Sequence, residues 1–162
     1  MNFKKLFFVA VSIFSIFILS GCDFSTDNNE SSKYTYSLNE SAIYKNVEYT
    51  ITNVEYSNGN EWDHPSSGKK YVIITLKIEN KSDKKISYNA LDYKMVNSQG
   101  QEDDESFTTI NNDTSLSSGD LISGGVKTGT LVFEEAEDET SLKLLYYSNI
   151  FDDKAKFEIV VK

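Results

Sequence analysis

Arginine is missing from this chain: all 16 basic residues are lysines, set against 25 acids. Cysteine, proline, histidine and tryptophan occur once each. A single cysteine rules out an internal disulfide, and with it the cross-sheet bridge of antibody-type domains. One histidine, with no second histidine and no further cysteine, makes a poor transition-metal set. It is also the sole base available for a Ser-His-acid triad, and no nucleophile-elbow motif accompanies the serines, so the residues argue against an enzyme. The formal charge of −9 argues against nucleic acid, whose phosphates need a basic footprint. It argues equally against lying flat on anionic lipid or anionic wall polymer. Cations, basic proteins and neutral ligands remain. Long apolar runs are scarce as well: the run from Leu6 to Leu19 falls short of the roughly 20 residues that a membrane-spanning helix needs.

That run nevertheless organises the start of the chain. Lys4 and Lys5 precede it and Ser20-Gly21-Cys22 closes it, which gives a positive n-region, an apolar h-region and small residues for a signal peptidase. Cleavage between Gly21 and Cys22 makes Cys22 the first mature residue. Leu19-Ser20-Gly21-Cys22 resembles the lipobox of bacterial lipoproteins. The resemblance implies a diacylglyceryl group on the Cys22 thiol and acylation of the new amino terminus. An ordinary secretory signal cut at the same bond would leave a free thiol open to stray pairing, so a lone cysteine is better explained if lipid consumes it. At about 0.8 kcal/mol per buried CH₂, one acyl chain holds a protein reversibly and two or three hold it firmly. The expected location is the cell membrane, lipid-anchored on the extracytoplasmic face. Missing arginine beside abundant Lys, Asn, Ile and Tyr is the usage of AT-rich coding and points to a low-GC Gram-positive source. Removing residues 1–21 takes away two lysines and no acids, so the mature charge becomes 14 minus 25, or −11.

From Asp23 to about Ser41 polar residues dominate, with too little apolar surface to pack alone. Residues 22–41 read as a lipidated terminus and flexible tether, with a coil span of about 20 to 25 Å. Tyr34 and Tyr36 alternate with polar residues in a way that suits weak pairing with a domain edge. Residues 42–162 then show period two almost throughout, the mark of strands with one buried face. Val47, Tyr49 and Ile51 share one parity and Val54 and Tyr56 the other, which predicts a bulge near Thr52 and Asn53. Tyr71 to Asn80 is the most apolar segment and the expected centre of a sheet. Ile86 and Tyr88, Leu91 to Met95, Leu131 and Phe133, Leu142 to Tyr146, and Phe157 to Val161 supply further strands between turn-forming stretches. Seven or eight short strands predict an all-β sandwich of two antiparallel sheets.

Gly68-Lys69-Lys70-Tyr71-Val72 running to Asn80-Lys81-Ser82, Leu91 and Tyr93 ahead of Gly100, and Gly124-Gly125 with Gly129-Thr130-Leu131-Val132-Phe133 resemble an uncharacterised domain family of Gram-positive lipoproteins. The likeness covers roughly residues 42–162. It implies an immunoglobulin-like fold similar to that of the mycobacterial secreted immunoprotective antigen, and no catalytic residues. The chain departs from the family pattern at Ser123, where proline is common before the paired glycines, and at Asn97, where aspartate is common.

The connection from Ser57 to Lys69 holds Glu61-Trp62-Asp63-His64-Pro65, and loops of this length often carry function. Trp62, Asp63 and His64 are therefore a candidate binding loop. Exposed, Trp62 would anchor a partner protein or sugar; folded over the end of the sandwich as a plug, the favoured arrangement, it would be structural. His64 is expected in solvent. Glu102-Asp103-Asp104-Glu105 offer the oxygen ligands that Ca²⁺ prefers, with Asn111-Asn112-Asp113 or Asp152-Asp153 able to join them if loops converge. No EF-hand spacing is present, and four adjacent acids more often form a solvated turn. The leading expectation is an envelope-anchored binding module with a protein partner and no cofactor beyond the lipid on Cys22. The alternative is a calcium- or small-ligand-sensing domain that uses its acidic loops.

Overall fold

β-Branched and aromatic residues, which suit a pleated half-buried surface, fill the long strands of this computed structural model, which describes residues 33–162. Cys22, Gly21 and the leader lie outside the described residues. The strands are β1 (Thr35–Tyr36), β2 (Ala42–Tyr44), β3 (Val47–Ser57), β4 (Lys69–Asn80), β5 (Ile86–Asn89), β6 (Tyr93–Val96), β7 (Glu102–Asp103), β8 (Ser118–Leu121), β9 (Val126–Ala136), β10 (Lys143–Tyr146) and β11 (Phe157–Val160). Three-residue 3₁₀ turns occupy Ala90–Asp92 and Asn112–Thr114. Eight of the strands have four residues or more; β1, β2 and β7 are the short additions that periodicity cannot register.

One sheet runs β2-β3-β4-β9 and the other β1-β11-β10-β6-β7, with β5 and β8 as a small separate ladder. The pairing is antiparallel except between β1 and β11, which run parallel. The architecture is the expected two-sheet β-sandwich of immunoglobulin-like type. β4 lies between β3 and β9 and is buried on both faces over residues 71–74, where its apolar run is continuous, and on the core face alone beyond it. The bulge falls where the parity changes, between Ile51 and Asn53. Lys45 and Asn46, with φ of 50° and 60°, make the two-residue turn from β2 to β3, the positive-φ geometry that matches strand twist.

Val72, Ile74, Leu76 and Ile78 of β4 meet Tyr93, Met95, Leu144, Phe157 and Ile159 of the facing sheet in one core. Tyr146 stacks on Phe157 with ring centroids 5.0 Å apart, and Tyr49 lies 4.7 Å from Tyr146. The segment expected to be a tether up to residue 41 contributes to this core. Tyr36 is only 3% exposed and packs edge-on against Phe157 at 6.0 Å. The folded unit therefore begins before residue 42, because pairing with β11 gives β1 both a hydrogen-bonded ladder and a buried aromatic.

The topology gives the sandwich two distinct ends. β1 descends parallel to β11, so the chain joins the domain beside Phe157, at the end that also holds Tyr93, Tyr146 and the 147–156 loop. At the opposite, distal end lie the 58–68 loop, the β6–β7 turn and the β9–β10 turn, the last two tied by Ser98 N donating to Glu139 Oε2 at 3.0 Å. Near the joining end Asn80, fully buried, donates its side-chain amide to Lys84 O (2.7 Å), Leu121 O (3.0 Å) and Ile122 O (3.0 Å), closing two turns with one side chain.

Candidate functional site

The 58–68 loop is built as a tight polar turn. Asn60 Oδ1 accepts from the backbone N–H of Trp62 (2.8 Å) and Asp63 (3.0 Å), and Asn60 N donates to Asp63 O at 2.8 Å. Gly59, at φ 85°, lies so close to Asp63 O that a Cβ would sit 2.1 Å from it. This turn directs the Asp63 carboxylate back toward the sheet. There it accepts from Tyr71 OH (2.6 Å), Thr108 Oγ1 (2.7 Å), Thr109 Oγ1 (2.7 Å) and Thr109 N (2.5 Å). The four donors, Tyr71 first among them, hold its pKa well below the usual carboxylate range.

Asp63 thus clamps two loops together, the second being the crossing from β7 to β8. Beyond the clamp Ile110 of that crossing packs on Tyr71, Ile73 and Val132 on the outer face of the four-stranded sheet. The clamp decides where its neighbours go. Trp62, one residue before Asp63, is 87% exposed, and Phe107, one residue before Thr108, stands fully in solvent. The plug arrangement favoured for Trp62 is therefore incorrect, since Asp63 holds the inward-facing position and turns the adjacent indole outward. His64 is exposed as well. Of the three loop residues, Asp63 is the structural one and Trp62 and His64 are presented. Phe107 went unrecognised in the sequence, where it reads as an apolar step toward the next strand; its signal is an aromatic in an otherwise polar stretch.

The acidic run does not converge. Glu102 accepts from Tyr147 OH at 2.8 Å and Asp104 pairs with Lys94 at 2.8 Å, while Asp103 lies in β7 opposite Met95 and Glu105 is half-buried, its pKa raised by burial. Adjacent residues of an extended chain point to opposite faces, so these carboxylates are separated rather than gathered. Asp152 is engaged by Ser148 and by Lys156, and Asn111-Asn112-Asp113 form an exposed turn beside β9. Among the described residues no three His, Cys, Asp or Glu side chains are grouped as a metal ion requires.

A different acid is buried at the distal end. Glu135 shares the parity of Leu131 and Phe133 on β9 and is 2% exposed, with Oε1 lacking a hydrogen-bond partner. Burial, reinforced by the charges of Asp103 and Glu139 and opposed by Lys69, pushes its pKa up to about 7. Among the described residues no helix is long and apolar enough to cross a membrane.

Solved structures share this fold at low identity. The yjhA protein of Bacillus subtilis superposes with a TM-score of 0.59 at 18% identity, covering 78% of this chain and 99% of its own. Another Bacillus subtilis protein, ycdA, provisionally described as a lipoprotein, gives 0.61 at 15% identity over 74% of this chain; the match spans only 38% of ycdA. The secreted protein MPT63 of Mycobacterium tuberculosis gives 0.58 at 9% identity, covering 80% of this chain and 97% of its own. No curated protein matches the chain. The family model for a domain of unknown function, DUF4352, matches residues 36–156. That span is well over half of the chain and takes in both clamped loops, the whole of the four-stranded sheet and β6, β7 and β10 of the other, and the chain belongs to the DUF4352 family.

Proposed function

We propose that this protein is an extracytoplasmic lipoprotein, anchored through Cys22, whose sandwich binds a protein partner of the cell envelope through the clamped distal loops. The observation that carries the reading is the pair of exposed aromatics, Trp62 and Phe107, each one residue from the Asp63 clamp. Aromatic side chains held on ordered backbone offer large contact area at low entropy cost on binding. Their place at the end away from the point where the chain joins the domain suits a module that presents a binding face outward. The location is supported by the lipobox-like Leu19 to Cys22 and by the fold shared with ycdA, itself provisionally described as a lipoprotein. A binding role without catalysis fits the exposed His64. A photo-crosslinking residue placed at Phe107 in intact cells tests the reading. A specific protein adduct that disappears on Trp62→Ala supports it; adducts unchanged by Trp62→Ala, or none, refute it.

A further inference from the structure

At the end where the chain joins the domain, the loop between β10 and β11 carries Ile150 and Phe151 at its tip, the latter 86% exposed. This tip is braced. Asp152 N donates to Asn149 O at 3.1 Å, Phe151 N to Asn149 Oδ1 at 2.9 Å, and Ser148 N to Asp152 Oδ2 at 3.0 Å. Tyr147 N donates to Asp92 O at 2.8 Å, which sets the loop beside exposed Leu91. Three outward apolar side chains therefore occupy one end of the sandwich on backbone that is already ordered.

Chain length determines what lies opposite them. From Cys22 to Lys33 there are eleven residue steps, which at full extension reach no more than about 40 Å. β4 alone, at about 3.3 Å per residue, is about as long. A lipid held at Cys22 therefore lets the joining end meet the bilayer freely, whereas the Trp62 end could reach it only with the linker drawn out to its limit. The charge at this end also differs from that of the whole molecule. Lys33, Lys154 and Lys156 stand against Asp92, Asp152, Asp153 and Glu40, the last paired with Lys33, an excess of one acid here against −9 for the whole chain. We infer that Leu91, Ile150 and Phe151 seat the domain end-on in the headgroup region of the bilayer that carries its lipid anchor. The inference rests on the anchoring reading above. Tethering makes a weak contact sufficient, because a short linker holds the surfaces at millimolar effective concentration, and Phe and Leu side chains of surface-seated elements bury into the headgroup–acyl boundary.

The test uses the full lipidated chain in phosphatidylcholine–phosphatidylglycerol vesicles with brominated acyl chains. Trp62, the sole native indole, reports the distal end. In a Trp62→Phe background, Phe151→Trp or Ile150→Trp reports the joining end. The introduced indole is expected to shift to the blue and to be quenched about twofold or more, since a seated side chain lies ~5–10 Å into the interface, while native Trp62 is unaffected. Mass measurement of Cys22 separates the two readings. A lipidated chain whose introduced indole emits as in water overturns the seating alone, and an unmodified Cys22 overturns the anchor and the seating with it.

Discussion

Replacing Glu135 by Gln is expected to stabilise the domain at neutral and alkaline pH and to leave it unchanged in mild acid. The carboxyl group is 2% exposed and its Oε1 has no partner, so the charged form gives up hydration with only the charge of Lys69 to offset the loss. Its folded pKa of about 7 stands above the ordinary 4.5. An acid raised in this way binds more protons folded than unfolded, so stability falls as pH rises between those two values and stays low above the upper one. The difference of about 2.5 pH units corresponds to about 3 kcal/mol above pH 7. At roughly 2 to 8 °C per kcal/mol for domains bracketing this size, the melting temperature at pH 8 should rise on the order of 10 °C in Glu135→Gln. Near pH 4.5 the two proteins should melt together. Asp92, raised to about 6 by burial and by Asp152, adds a slope of the same sign, but it is common to both proteins and drops out of the comparison. Circular-dichroism melts of both proteins at pH 4.5, 6, 7 and 8 provide the measurement. A difference that is constant with pH, or that closes toward pH 8, would refute a buried and undercompensated carboxyl.

Three further outcomes rest on other contacts. Tyr93→Phe removes a buried hydroxyl that has no hydrogen-bond partner; it should be neutral or stabilising by about 1 kcal/mol in a urea titration, and a clear loss would reveal a missing partner. Gly129→Ala would place a Cβ 2.5 Å from Leu116 Cα, where Leu116 N bonds to Thr130 O at 2.9 Å. Overpacking against backbone should cost about 1–3 kcal/mol, and an unchanged melting temperature would show that the two segments separate freely. Asp63→Ala should release the β7–β8 crossing while sparing the sheets, so the Thr109 amide should exchange with solvent faster while the amides of β4 and β9 keep their protection. Equal protection of Thr109 in variant and parent would show that the clamp is not needed.

The strands were legible in the residues for a simple reason: a sheet with one face in the core imposes period two, and that period survives in the order of side chains. The parity change at Thr52 and Asn53 even located the bulge. Parity also places Glu135 on the inner face after Leu131 and Phe133, yet Glu134-Glu135 reads more readily as the polar end of a strand. Asn80 reads as turn chemistry, whereas in the fold its amide closes two turns forty residues apart in the chain. β1 was hidden because two residues are too few to show a period, and only the partner strand β11 makes Tyr36 a core residue.

Local order along the chain was thus enough to determine the all-β class, the bulge, the acidic character and the lipobox-like segment ahead of the domain, because each depends on residues close together in sequence. Which side chains share an end or a clamp depends on segments distant in sequence, and only the tertiary structure decided it. Asp63 is a loop acid until Thr108 and Thr109 are brought to it, Trp62 is outward only because Asp63 is inward, and the acids from Glu102 to Glu105 part company because an extended backbone turns successive side chains away from one another.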